Sequence, residues 1–153
     1  HPSVFAKTEN EMVADIRVWY KEVTDNLNRY EKSLYDAPGE STEGGLVTVY
    51  KDGTDIRMIK EEYYGESGNA KYNYYYRNGK LFFMFQVNKY YDVPIYVDDS
   101  GKGKTEENRY YFYSVKMIRW LDPQKEKLDK NTNEFEKKEL QILKEANGLI
   151  ESY

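Results

Sequence analysis

The sequence feature that most constrains the fold is a tight-turn signal between two runs of alternating, strand-favouring residues. Asn78-Gly79 lies between residues 71–77 and 80–87, and both runs are rich in tyrosine or phenylalanine. Asn-Gly is favoured in two-residue hairpin turns because both positions adopt positive φ at little cost. The pattern therefore predicts an antiparallel hairpin in which Tyr76 pairs with Leu81.

Two further pairs of runs predict hairpins on either side of this one. Residues 46–50 and 56–64 flank Asp52-Gly53, and residues 106–113 and 116–121 flank Ser114-Val115. Valine resists positive φ because its side chain is β-branched, so a turn longer than two residues is an open alternative in the third hairpin. The second and third hairpins align as weak copies, interrupted by an insertion at 88–102. Together the runs predict an antiparallel meander of about six strands over residues 46–121.

Two amphipathic segments flank the predicted sheet. Thr8 and Glu11 have the spacing of a capping box, and apolar residues then recur every three or four positions as far as Leu34, which predicts a long N-terminal helix over 8–36. Asp122-Pro123 offers an N-cap and a first-turn proline, which predicts a helical segment over 124–152. We therefore expect a single α+β domain spanning residues 1–153, with one helix before the sheet and one after it along the chain.

The register of the second hairpin predicts two apolar faces. With regular pairing, Tyr76, Tyr74 and Tyr72 lie opposite Leu81, Phe83 and Phe85 on one face. The candidate binding residues are then grouped on the other face: Tyr75, Phe82, Met84, Tyr111 and Trp120. Two arrangements are open, either one helix on each face or both helices on one face. The pattern favours the first, whereas an exposed aromatic binding surface requires the second.

The residue inventory excludes several classes of site. The chain has no cysteine and only one histidine, His1, so it cannot build a thiol nucleophile, a thiolate metal site, a Ser-His-Asp triad or a multi-histidine zinc site. We expect no metal and no cofactor. The 23 basic and 27 acidic residues are interleaved, so we expect no nucleic-acid binding. No apolar run approaches the length of about 20 residues that spans a bilayer, and we expect a soluble domain without a transmembrane segment.

Two pairs of adjacent carboxylates offer the remaining route to catalysis. They are Glu61 with Glu62 and Glu106 with Glu107. Adjacent residues of a strand point to opposite faces, so only one member of the first pair and one of the second can converge. A glycosidase needs two carboxyl groups about 5 to 10 Å apart across a cleft.

Five segments carry a resemblance to a family of uncharacterised, exported bacterial proteins. They are residues 43–45 (EGG), 64–68 (YGESG), 75–83 (YYRNGKLFF), 108–112 (NRYYF) and 116–121 (KMIRWL). The resemblance covers most of the chain and implies a small periplasmic, lipid-anchored or secreted domain with no catalytic residue to carry over. Residues 76–81 are also similar to the hairpin repeats of membrane-occupation proteins.

The sequence leaves three functions open. Tyrosine, present 17 times, combines an apolar ring with a hydroxyl that suits a wet binding surface, so the first is a non-enzymatic extracytoplasmic module that recognises a protein, a peptide or a glycan through an aromatic sheet face. The second is a glutamate-dependent hydrolase. The third is a structural or assembly subunit, and we expect either a monomer or a weak dimer.

Overall fold

In the part of the chain that the structure describes, seven antiparallel strands, adjacent in sequence order, form one meander sheet with a helix on each face. The computed structural model describes residues 6–37, 44–94, 96–98 and 102–153. Its elements are α1 (Glu9–Asp25), a 3₁₀ turn (Leu27–Arg29), β1 (Glu31–Asp36), β2 (Gly45–Asp52), β3 (Asp55–Tyr64), β4 (Gly68–Arg77), β5 (Lys80–Tyr91), β6 (Gly103–Tyr113), β7 (Lys116–Leu121) and α2 (Asn133–Ser152). The predicted α+β class and the meander are confirmed, with seven strands rather than about six.

The N-terminal helix begins as predicted but ends early. Thr8 and Glu11 form both hydrogen bonds of the capping box. The helix stops at Asp25, and the predicted final segment forms β1 instead, where Leu34 pairs with Thr48 of β2. Asn26 Nδ2 donates to the Glu22 carbonyl, a local bond typical of residues that compete with helix continuation. Leu34 continues the helical spacing of apolar residues in the sequence, yet its side chain is 58% exposed, so this spacing did not indicate a buried position.

Three β-bulges change the predicted register. In β3, β5 and β7 the pairing skips one residue, and the skipped residues are Arg57, Phe82 and Ile118. In a bulge, two residues of one strand lie opposite one residue of the partner strand, so two successive side chains point to the same face of the sheet. Beyond the bulge in β5, Tyr74 therefore pairs with Met84 and not with Phe83.

The second and third hairpins share their turn geometry as well as their bulge. Asn78 and Gly79 have φ of 53° and 76°, and Ser114 and Val115 have φ of 49° and 58°. The longer turn that the sequence left open therefore does not form. Val115 is held in the left-handed region, which costs about 1–2 kcal/mol for a residue with a Cβ. The resemblance between the two hairpins is confirmed at the level of backbone conformation.

Each helix covers a separate apolar cluster, so the arrangement with one helix per face is confirmed. The cluster between α1 and the sheet consists of Val13, Ile16, Val23, Tyr30, Tyr50, Met58, Tyr75, Phe82, Phe83, Tyr111 and Ile118. The cluster between α2 and the sheet consists of Val47, Val49, Ile56, Ile59, Tyr74, Tyr76, Leu81, Met84, Tyr110, Phe112, Met117, Trp120, Phe135, Ile142 and Ala146. Neither helix covers the whole length of the strands.

The predicted start of the C-terminal helix is wrong. Asp122 Oδ1 accepts hydrogen bonds from the backbone N–H groups of Gln124 and Glu126, so it caps a local turn and not a helix. Lys125, with φ of 62°, interrupts the helical conformation. The helix starts at Asn133 instead, and the Thr132 hydroxyl accepts from the Phe135 N–H as its N-cap.

The predicted insertion at 88–102 is partly strand. β5 continues to Tyr91 and β6 begins at Gly103, so these two strands are the longest pair of the sheet. Residues 95 and 99–101, also in this stretch, lie outside the described part of the chain. Neither of the two described α-helices has the length and apolarity to cross a bilayer.

Candidate functional site

The five aromatic and apolar residues predicted as a binding surface are all buried. Their exposed fractions lie between 3% and 7%. They do not share a face either: Tyr75, Phe82 and Tyr111 pack under α1, whereas Met84 and Trp120 pack under α2. The expectation of one exposed aromatic face is therefore corrected, because the bulges in β5 and β7 move two residues to the opposite side and each face has its own helix.

The predicted carboxylate pairs do not converge. Glu61 and Glu62 pair with Tyr72 and Lys71 of β4, and Glu106 and Glu107 lie on β6. β3 and β6 are three strands apart, which separates same-face residues by about 14 Å. Glu107 is instead paired with Arg109 on its own strand, at 3.2 Å.

A different carboxylate, that of Glu145, lines the same cleft as Glu61, between α2 and the sheet. This carboxylate cleft is lined by Val47, Glu61, Tyr63, Tyr72, Glu145, Gly148, Leu149, Ser152 and Tyr153. Its volume of about 630 Å³ falls within the 300–1,000 Å³ that is usual for small-molecule sites. It combines two carboxylates with three tyrosines, and we take it as the candidate functional site.

Glu145 is positioned from both sides of its carboxylate. The Tyr74 hydroxyl of β4 donates to Glu145 Oε2 at 3.1 Å, and Gln141 Nε2, one helical turn earlier, donates to Oε1 at 3.2 Å. A carboxylate offers about four lone-pair sites, so each oxygen keeps acceptor capacity. Glu145 itself is exposed, which leaves that capacity available to a ligand in the cleft.

Glu61 projects from β3 toward the same side of the sheet and is more enclosed. Burial raises its pKa and the negative charge of Glu145 raises it further, whereas the Tyr63 and Tyr74 hydroxyls lower it. The Tyr63 hydroxyl donates to Glu61 Oε2 at 2.9 Å. Glu61 therefore holds a proton to higher pH than an ordinary glutamate.

Buried tyrosines of the sheet lie in the apolar cluster under α2, behind the carboxylate cleft. The Tyr76 hydroxyl donates to the Ala146 carbonyl of α2 at 2.8 Å, and the Tyr110 hydroxyl donates to Gln86 Oε1 at 2.9 Å. Burial raises the pKa of Tyr74, Tyr76 and Tyr110, so all three stay protonated donors. The bonds from Tyr74 and Tyr76 join the sheet to α2, the helix that carries Glu145 at the cleft.

Tyrosine rings contribute to the walls of the carboxylate cleft. Tyr63 and Tyr72 meet edge to face with centroids 6.1 Å apart, and Tyr153 packs on Tyr35 of β1 with centroids 4.7 Å apart. On α2, a Cβ built at Gly148 would meet no atom within 4 Å. The absent side chain of Gly148 therefore contributes to the opening.

Sequence reasoning missed Glu145 because nothing local distinguishes it. It lies among charged residues of an amphipathic helix, where an exposed glutamate is ordinary. Its partner Tyr74 lies 71 residues earlier, and only the packing of α2 on the sheet brings them together. The one available signal was the break in the helix pattern at Gly148.

Comparison of the chain with known proteins gives no relative from which a function could be transferred: no family model, no curated protein and no solved structure matches it. The resemblance to exported bacterial proteins stays a prediction. Among residues 6–37, 44–94, 96–98 and 102–153, no three acidic, histidine or cysteine side chains are placed to share a metal ion.

Proposed function

We propose that the protein is a non-enzymatic binding module that holds a glycan in the carboxylate cleft. The observation that carries the proposal is the convergence of Glu61 and Glu145 between tyrosine walls. The aromatic sheet face proposed from the sequence is thereby replaced by the tyrosine-rich part of the sheet that α2 leaves open.

The hydrogen-bonding groups of the cleft suit sugar hydroxyls. Each sugar hydroxyl needs an acceptor when it leaves water, and hydrogen bonds to a charged acceptor are stronger than neutral ones. Glu145 is exposed and keeps free lone pairs, and Glu61 lies behind it with one oxygen bound to Tyr63. Two acceptors at different depths can bind two hydroxyls of one ring.

The tyrosine walls suit the apolar face of a sugar ring. Tyr63, Tyr72 and Tyr153 are each half-buried, with part of the ring available. Tyrosine gives a flat apolar contact with little loss of side-chain entropy, and its hydroxyl stays satisfied at a wet site. The same cleft presents no cation among its lining residues, so an acidic glycan is disfavoured.

The test is a screen of immobilised neutral oligosaccharides with the wild-type protein and with Glu145→Gln. We expect a subset of neutral glycans to bind the wild type, and the variant to bind them about tenfold more weakly, since one charged acceptor is lost. A cleft with two carboxylates would also attract cationic peptides, so an array of lysine-rich peptides is screened in parallel. Binding to those peptides alone would contradict a glycan site.

A glutamate-dependent hydrolase is the second candidate, and the raised pKa of Glu61 favours it. Both carboxylates line the same cleft, Glu145 with one oxygen on the Tyr74 hydroxyl and Glu61 with one oxygen on the Tyr63 hydroxyl. Retaining glycosidases place theirs about 5–5.5 Å apart. Protonated Glu61 would give its proton to the glycosidic oxygen as that bond breaks, while Glu145 would attack the anomeric carbon. Water, deprotonated by Glu61, would then hydrolyse the glycosyl ester on Glu145 and release the sugar.

The hydrolase is tested with 4-nitrophenyl glycosides of the sugars that bind. Release of 4-nitrophenol by the wild type, abolished in Glu61→Gln and in Glu145→Gln, supports catalysis. Binding without release in any of them assigns the cleft to recognition alone.

A structural role is the third candidate, and the outer edge of the sheet favours it. β1 has no neighbour on its outer side among the described residues, and it exposes Leu34 and Tyr35. An unpaired edge can pair with the same edge of a second copy. Concentration-dependent sedimentation that is lost in Leu34→Lys would support this role, and a monomer at all concentrations would exclude it.

The location that we propose is extracytoplasmic, in a bacterium: periplasmic, lipid-anchored or secreted. Its support is the sequence resemblance alone. Fractionation of cells that produce the native protein tests it, and recovery in the cytoplasm would contradict it.

A further inference from the structure

On the opposite face of the sheet, α1 leaves a second opening. This arginine cleft is lined by Ile16, Arg17 and Tyr20 of α1, Phe83 and Phe85 of β5, and Arg109 and Tyr111 of β6. Its volume is about 210 Å³, and a cavity of about 150 Å³ is enough to hold benzene. The cleft therefore has room for one six-membered ring with a short substituent.

The interior of the arginine cleft is aromatic. The register places Phe83 opposite Tyr111 and Phe85 opposite Arg109. Tyr20 of α1 meets Phe83 edge to face, with centroids 5.5 Å apart, and remains 38% exposed. An aromatic ring that enters the cleft would therefore find aromatic neighbours in orientations that rings prefer.

The charge of the arginine cleft is positive and only partly neutralised. Arg109 lies over the Phe85 ring at 4.8 Å and pairs with Glu107 at 3.2 Å. Arg17 is exposed and, within the described part of the chain, makes no ion pair or hydrogen bond. Two guanidinium groups against one carboxylate leave one positive charge for a ligand, and guanidinium matches the planar geometry of a carboxylate.

We propose that the arginine cleft is a second ligand site, which takes an aromatic carboxylate with its ring on Phe83 and Phe85 and its carboxylate on Arg17 and Arg109. The ligand class differs from that of the carboxylate cleft in charge, and the two sites lie on opposite faces of the sheet. The same chemistry is offered by a free aromatic acid and by a peptide that ends in phenylalanine.

The experiment titrates the protein with 3-phenylpropionate and follows amide chemical shifts by NMR, with 3-phenylpropylamine as the matched probe of opposite charge. We expect the acid to bind in the millimolar range, with shifts at Arg17, Phe85 and Arg109, and the amine not to bind. The peptide acetyl-Gly-Gly-Phe is titrated in parallel. Tighter binding of the peptide assigns the source to a chain terminus, and tighter binding of 3-phenylpropionate assigns it to a free acid.

Three variants decide whether the arginines carry the binding. Arg17→Gln should weaken binding of the acid about tenfold, and the charge reversal Arg17→Glu should shift the preference toward the amine. Arg29→Gln, at an exposed arginine that pairs with Asp52 elsewhere, should change nothing. Equal binding of acid and amine, insensitivity to Arg17→Glu, or no binding up to about 10 mM would overturn the proposal.

Discussion

The Tyr74 hydroxyl donates a hydrogen bond to Glu145 Oε2 at 3.1 Å, joining the middle of the sheet to the C-terminal half of α2. Tyr74 is fully buried, whereas the carboxylate that it contacts faces solvent. One hydroxyl therefore links the apolar cluster under α2 to the polar lining of the carboxylate cleft. The contact therefore belongs both to the core and to the proposed ligand site.

Removal of that hydroxyl should affect both stability and charge. Tyr74→Phe should lower the free energy of unfolding by about 1–3 kcal/mol, because a hydrogen bond to a charged group is lost. It should also raise the pKa of Glu61 further, since the Tyr74 hydroxyl lowers it. Denaturant unfolding and ¹³C NMR of the Glu61 carboxyl measure the two effects.

Tyr76→Phe is the matched control, because it removes a buried hydroxyl whose acceptor is the Ala146 carbonyl. It should destabilise the protein without moving the pKa of Glu61. An equal shift of that pKa in both variants would contradict a specific contact with Tyr74.

Glu61→Gln should stabilise the protein at neutral pH. Folding raises the pKa of Glu61, so ionisation of its carboxyl destabilises the folded state. The stability contributed by the protonated carboxyl is full below about pH 4.5 and is lost as pH rises through the folded-state pKa. The gain should be below about 1 kcal/mol, since Glu61 is partly solvated, and should disappear below about pH 4.5. Unfolding curves of both proteins from pH 3 to 8 measure it; a gain that persists at pH 3 would point to packing instead.

Glu9 should show the opposite pH dependence. Burial would raise its pKa, but hydrogen bonds from Lys130, Lys127 and Arg119 outweigh burial and lower the pKa to about 2. Its stabilising effect is therefore present above about pH 4.5 and lost as pH falls toward about 2. Glu9→Gln should destabilise by about 1 kcal/mol at pH 7 and by almost nothing near pH 2.

The control for Glu9 is Glu66→Gln, which changes an exposed glutamate in the turn between β3 and β4. Its difference from the wild type should be small at every pH. A pH-independent effect of Glu9→Gln would show that the three cations do not act through the charge of Glu9.

Glycine at position 115, in the turn of the third hairpin, should stabilise the protein. Val115→Gly removes a Cβ from a position with φ of 58° and should raise the free energy of unfolding by about 1 kcal/mol. Val115→Ala keeps the Cβ and should gain much less. Thermal unfolding of the two variants measures the difference, and an equal effect would exclude backbone strain as the cause.

The sequence predicted the strands and helices better than it predicted which face of the sheet each side chain occupies. Turn residues and alternation identified all three hairpins, and the capping box at Thr8 fixed the start of α1. The bulges at Phe82 and Ile118 left no comparable signal, because a bulge made of apolar residues looks like a continuous apolar strand. Two of the five residues predicted to form one binding surface, Met84 and Trp120, were therefore assigned to the wrong face.

The candidate site was only half predictable. Glu61 was identified as a carboxylate on a strand, but its pairing with Glu106 or Glu107 required a distance that sequence does not contain. Its actual partner, Glu145, is brought to it by the docking of α2, which depends on Phe135, Ile142 and Ala146. Long-range packing, not local pattern, created the carboxylate cleft.

The most direct measurement is the affinity of one glycan identified in the screen for two variants at Gly148, determined by calorimetry. Gly148→Ala adds a methyl group where no atom lies within 4 Å, and Gly148→Leu extends a side chain from the same position, on the cleft lining. Both replace a helical glycine and should be as stable as the wild type or more so, by up to about 1 kcal/mol. If the glycan lies in the carboxylate cleft, Gly148→Ala should bind it almost as well as the wild type, and Gly148→Leu should bind at least tenfold more weakly. Unchanged affinity in a folded Gly148→Leu variant would place the glycan elsewhere and contradict the proposed function.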